Sequence, residues 1–100
     1  MRQYEVYKHG SRKDILLLVV QSDLLDSLAT RLVAPLIKES NFGLPVTRLN
    51  PVLIVEDHPY VMDTANLAAL SCSRLGEKVG SVESECTVIL NAIDFLLCGF

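Results

Sequence analysis

The longest uninterrupted apolar run in this chain is the six residues Ile15 to Val20 (ILLLVV). That is far short of the roughly 20 residues needed to cross a bilayer. Turn-forming residues bound it on both sides, HGSRKD before and QSDLLDSLA after. A short, continuous apolar run between turns reads as a strand covered on both faces. The rest of the chain shows the same punctuation. QYEVYK (3–8) alternates and is rich in Tyr and Val, as a first strand should be. TRLVAPLI (30–37) reads as another strand, in which Pro35 predicts an edge position or a bulge because it has no N–H to give a ladder. PVLIVE (51–56) and YVMDT (60–64) read as a hairpin turning at DHP (57–59). NLAALSCSRL (66–75) alternates at Leu70 and Cys72, and GEKVG reads as a turn.

The period then changes. Val82, Cys86, Ile89, Ile93, Leu96, Leu97 and Phe100 follow helical spacing. Ser81 or Ser84 can cap the start, and Glu83 and Glu85 suit the positive end of the helix dipole. The predicted architecture is mainly β: five to six short antiparallel strands forming a small barrel, then one C-terminal helix, all in one domain over residues 1–100. The helix ends in NAIDFLLCGF, an apolar tip with Asp94 opposing its dipole and Gly99 able to take a left-handed cap. Two readings of the tip stay open. Phe95, Leu96, Leu97 and Phe100 either turn back to fill the end of the barrel or remain exposed as an anchor for a pocket with a basic rim. Leu24 and Leu25, an apolar pair inside a polar loop, pose the same question.

Hydrophobic residues make up 50% of the chain, an excess of apolar surface that predicts a homodimer or a permanent partner. The net charge of −3 argues against a nucleic-acid binder as a whole. A local basic cluster of Arg2, Lys8, His9, Arg12 and Lys13 reads either as a solvated hairpin or as a landing site for an acidic peptide or a DNA backbone. Cys72, Cys86 and Cys98 have neither CxxC spacing nor a His at metal spacing, so reduced thiols and no metal or cofactor are expected. Arg2 leads straight into strand-like residues, with no apolar segment of signal-peptide length, so a cytoplasmic protein without a membrane anchor is expected.

QSDLLDSLATRLVAPL (21–36), the opening YEVYK and the closing NAIDFLLCGF together resemble the CcdB family of bacterial toxins. PVLIV and LSCSRLGEKVG fall between them in register, so the resemblance spans nearly the whole chain. It implies an SH3-like barrel with a C-terminal helix, a homodimer, and the toxin half of a type II toxin–antitoxin pair. Such toxins bind the A subunit of DNA gyrase and trap it on cleaved DNA. They are neutralised by a CcdA-type antitoxin and contact operator DNA only as the toxin–antitoxin complex. The family's gyrase contacts map to Leu24, Leu25, Asp94, Leu97, Cys98, Gly99 and Phe100 here. Arg2, Lys8, Arg12 and Lys13 would then face the antitoxin or operator phosphates.

Two positions depart from the family pattern. Asp94 stands where an Asn can be found, replacing a donor–acceptor amide with an acceptor-only charge. Cys98 stands where the family often has Trp, and losing such an anchor typically costs at least about 2 kcal/mol, or roughly 30-fold in affinity. Two alternatives follow. One is a non-toxic decoy that keeps the antitoxin groove but fails at gyrase. The other, from the same superfamily, is a MazF-like endoribonuclease, with His9 and His58 as its candidate acid and base.

Overall fold

The structure, a computed structural model, describes residues 1–99. Seven strands are present: β1 (Glu5–His9), β2 (Ile15–Val19), β3 (Thr30–Lys38), β4 (Val52–Val55), β5 (His58–Met62), β6 (Ala68–Ser71) and β7 (Leu75–Ser81), followed by α1 (Cys86–Cys98). All ladders are antiparallel. The order is β4-β5-β3-β2-β1-β7, with β6 also paired to β3. The sheet curls into a half-barrel. Its terminal strands β4 and β7 approach each other but share no ladder.

Alternation along the strands builds two apolar layers. Val6, Leu16, Leu18, Ala34, Leu36, Leu53, Val55 and Met62 face inward, where Val82 and Ile89 of the helical end close over them. Tyr7, Leu17, Val19, Val33 and Leu75 form a second cluster on the outer face. The ILLLVV run is therefore covered on both sides, as its unbroken hydrophobicity predicts.

Pro35 is neither at an edge nor in a bulge. It lies in the central strand, where β3 changes partner from β6, whose first residue Ala68 lies opposite Val33, to β5, whose last residue Met62 lies opposite Leu36. Val20 N–H bonds to Leu32 O, and counting along the ladder from there points the N of residue 35 away from β2 and into that gap. On the same side its carbonyl accepts the Asp63 N–H at 2.8 Å.

The β4–β5 turn comes one residue earlier than DHP. Glu56 and Asp57 both have positive φ (50° and 65°), the signature of a tight two-residue hairpin whose twist matches its strands.

GEKVG is not a turn but most of β7. The turn falls just before it, at Cys72–Arg74. Gly76 is required by proximity: a Cβ there would stand 2.9 Å from the Lys8 carbonyl oxygen, where the β1–β7 register shifts. Gly76→Ala is expected to destabilise the fold by about 1–3 kcal/mol, the usual cost of overpacking against atoms that cannot yield. Urea denaturation will read this as a lower midpoint.

The helix begins after a single 3-10 turn at Glu83–Glu85. No side chain caps α1 itself, but Ser81 Oγ accepts the Glu83 N–H at 3.3 Å just upstream. Ile89 and Ala92 are fully buried, while Leu96 and Leu97 are exposed. At the far end, the Arg48 guanidinium lies 4.7 Å from the centre of the Phe95 ring.

Candidate functional site

The 21–29 loop is a rigid polar frame that holds apolar side chains in water. Gln21 ties it across: its Nε2 donates to Leu25 O and Thr30 O, and its Oε1 accepts the Leu32 N–H. Ser22 Oγ accepts the Leu24 N–H and starts a 3-10 turn over Asp23–Leu25. Asp23 accepts the Gln3 N–H at 2.8 Å and pairs with Arg2 at 3.1 Å.

The principal clamp is Arg31, only 8% exposed. Its Nη1 donates to Leu28 O (2.7 Å) and Thr30 O (2.9 Å), its Nη2 to Asp26 O (3.0 Å) and its Nε to Met1 O (3.3 Å). No carboxylate pairs with it among the described residues. Every bond on this frame is polar, so the leucines have nowhere to turn. Leu24 is 92% exposed, and Leu25 and Leu28 are each 50% exposed.

The second element is the helix end. Leu97 is 72% exposed, and Asp94, Cys98 and Gly99 are exposed with it. Gly99 takes the left-handed conformation (φ 80°) and donates to Phe95 O at 2.9 Å, ending the helix as its residue type allows. Phe100 lies outside the described residues. Leu96 and Leu97 point away from the barrel, and Phe95 is half-buried. Among the described residues no hydrogen bond or ion pair joins the loop to the helix end.

The basic cluster divides. Arg2 belongs to the foot of the apolar loop through Asp23. Lys8, Arg12 and Lys13 line a cleft at the open mouth of the half-barrel, where Lys38 joins them. Among the described residues no hydrogen bond joins His9 to His58. His9 Nδ1 is occupied, accepting the N–H groups of Ser11 and Arg12, both at 3.1 Å.

Arg31, Leu28 and Lys38 were not singled out for a site on sequence grounds. Each carried a signal: a cation two residues before Val33 on the same strand face, a third leucine in a polar loop, and a Lys continuing the inward alternation of Ala34 and Leu36.

Glu5 anchors the strand next to this frame. It accepts the Arg2 N–H at 2.8 Å, pairs with Lys78 at 2.7 Å and accepts the Tyr7 hydroxyl at 2.6 Å. The Arg2 N–H foremost, then Lys78 and Tyr7, lower its carboxyl to about 2. Burial first, then the bond to Glu5, raises Tyr7 to about 12. The signs follow by linkage. A depressed carboxyl contributes stability above its unfolded value near 4.5 and loses it as the pH falls toward about 2. A raised phenol contributes below about 10 and loses it as the pH climbs through about 12. Denaturation midpoints measured against pH should fall in both windows, and Glu5→Gln should flatten the acid limb.

A curled antiparallel half-barrel is thus crossed by one C-terminal helix, with apolar side chains of the 21–29 loop and the helix end standing outside its core. The chain belongs to the CcdB protein family, whose model it matches over residues 3–99. Its fold is also similar to solved structures at low sequence identity. One is an endoribonuclease in complex with its cognate antitoxin from a mycobacterial species (TM-score 0.78, 17% identity, 97% of this chain and 94% of that one). Another is the Mycobacterium tuberculosis toxin MazF-mt6 (TM-score 0.76, 15% identity, 93% of this chain and 95% of that one).

Proposed function

We propose that this chain is the toxin of a type II toxin–antitoxin module. In this reading it acts as a homodimer that binds the A subunit of DNA gyrase, traps the gyrase–DNA cleavage complex, and is neutralised by a CcdA-type antitoxin. Family membership supports the toxin class. The observation that carries the target assignment is the exposure of Leu24 and Leu97, two of the positions where the family contacts gyrase. Leaving such leucines in water forgoes burial worth about 1.5–3 kcal/mol each. A partner that covers them recovers it.

Asp94 beside Leu97 suits a target pocket with a basic rim. Cys98 is exposed but offers far less contact area than an aromatic ring, so the leucines carry more of the contact here. The protein acts by binding, not by chemistry of its own. Arg2, Lys8, Arg12 and Lys13 contact the antitoxin or, within the complex, operator phosphates.

The test is capture of the gyrase A dimerisation region by the intact chain, together with gyrase-dependent DNA breaks in its presence. Antitoxin binding without gyrase capture would instead make the chain a decoy or co-regulator. The ribonuclease reading draws support from the fold of the endoribonuclease above; loss of single-stranded RNA without gyrase would establish it.

A further inference from the structure

Four cations from three separate elements converge on the mouth of the half-barrel, away from the apolar loop and the helix end. The alternation that turns Val6 and Leu36 into the core continues two residues further in each strand and there presents Lys8 and Lys38. Lys38 lies opposite Tyr60 in the ladder. With Arg12 and Lys13 they line a cleft of about 570 Å³ over a floor of Leu16, Tyr60 and Val79. A neighbouring depression of about 390 Å³ shares Lys38 and Tyr60 and adds His58.

The site is built. His9 Nδ1, by accepting the Ser11 and Arg12 N–H groups, fixes the loop that carries Arg12 and Lys13. Lys13 and Lys38 have no carboxylate partner among the described residues. Lys8 and Arg12 are held only by the exposed Glu77 (3.7 Å) and Asp14 (3.2 Å). Such pairs are worth little and exchange readily for another anion. The chain has nine Lys and Arg residues, and four of them line this concavity, where Glu56 is the one carboxylate among the lining residues.

We propose that this mouth binds single-stranded nucleic acid, with backbone phosphates on Lys8, Arg12, Lys13 and Lys38 and a base against the rings of Tyr60 and His58. A cationic groove interleaved with π faces takes a flexible strand without regard to sequence. An antitoxin segment on Lys8, Arg12 and Lys13 would satisfy the cations but leave the rings without a planar partner, so the strand occupies this mouth in the antitoxin-free chain. Glu39 and Glu56, which also line the two depressions, limit the affinity, and the phosphate contacts make it salt-dependent.

The probe is a labelled ten-nucleotide thymidine DNA strand, followed by fluorescence anisotropy with the full chain; DNA separates binding from any RNA cleavage. Binding is expected at low salt, weakening with a log–log slope of about −2 to −3, as three or four phosphate contacts predict. The double reversal Lys13→Glu/Lys38→Glu, at exposed positions, should weaken it at least tenfold without moving the denaturation midpoint. Leu24→Asp should leave it unchanged, which separates this site from the gyrase reading. Absence of binding at low salt would overturn the proposal. So would an affinity indifferent to the double reversal, or displacement of the strand by a glutamate-rich decapeptide at lower concentration than by unlabelled strand.

Discussion

Arg31→Met is expected to lower the stability of the fold by about 3 kcal/mol, with a fall in Tm on the order of 10–20 °C for a chain of this size. Methionine keeps most of the stem volume, so the change removes the guanidinium rather than the packing. What is lost is the set of bonds to the carbonyls of Met1, Asp26, Leu28 and Thr30. Hydrogen bonds from a charged donor contribute about 1.5–3 kcal/mol each, and a buried acceptor left without a partner costs about 1–3 kcal/mol. Several of these carbonyls can reach water once the loop loosens, which keeps the total well below the sum of the separate bonds. Arg31→Lys should recover only part of the loss, because a single ammonium cannot reach every carbonyl that the planar fork reaches. Urea midpoints of the three proteins will rank them, and amide exchange of residues 24–29 should accelerate most in the Met variant. A loss under about 1 kcal/mol would mean that the loop is held by Gln21 and Asp23 without the clamp.

Leu24→Asp and Leu97→Lys form the second case, with the opposite signature. Both side chains are exposed, at 92% and 72%, so stability should change by no more than about 0.5 kcal/mol. A lysine in the last turn should even favour the helix slightly through its dipole. On the proposed gyrase reading, affinity for the gyrase A fragment should nevertheless drop at least about 30-fold for each, because a charge then replaces an apolar anchor. Titration of the fragment against each variant, beside its denaturation curve, measures the two quantities separately. Retention of full affinity in both variants would remove the apolar loop and helix end from the interface.

Much of this molecule could be read from residue order because strand alternation and helical period are local properties. The Ile15–Val20 run, the alternation in QYEVYK and the helical spacing after Val82 each name their element without knowledge of its neighbours. What could not be read depends on which strand lies beside which. Gly76 reads as a turn residue until β1 places the Lys8 carbonyl against it. Pro35 reads as an edge residue until β6 and β5 are seen to leave it a gap. Lys38 joins Lys8 only because the curled sheet brings both strand ends to one mouth. Leu24, Leu25, Leu96 and Leu97 are a different matter. Apolar periodicity says that a side chain has a buried face to seek, but not whether that face belongs to the same molecule. For Leu24 and Leu25 it is the polar frame of the 21–29 loop, whose bonds reach residues from Met1 to Leu32, that leaves the side chains in water.

The curled sheet stops short of closing, and β4 and β7 stand side by side with no ladder between them. A barrel without a complete hoop resists widening there through side-chain contact alone. On β4 the buried side chains are Leu53 and Val55, while Val52 and Ile54 face water. The seam is therefore where thermal breathing begins. It also leaves β4 as an edge strand, whose unpaired backbone groups are the kind that can pair with a foreign strand.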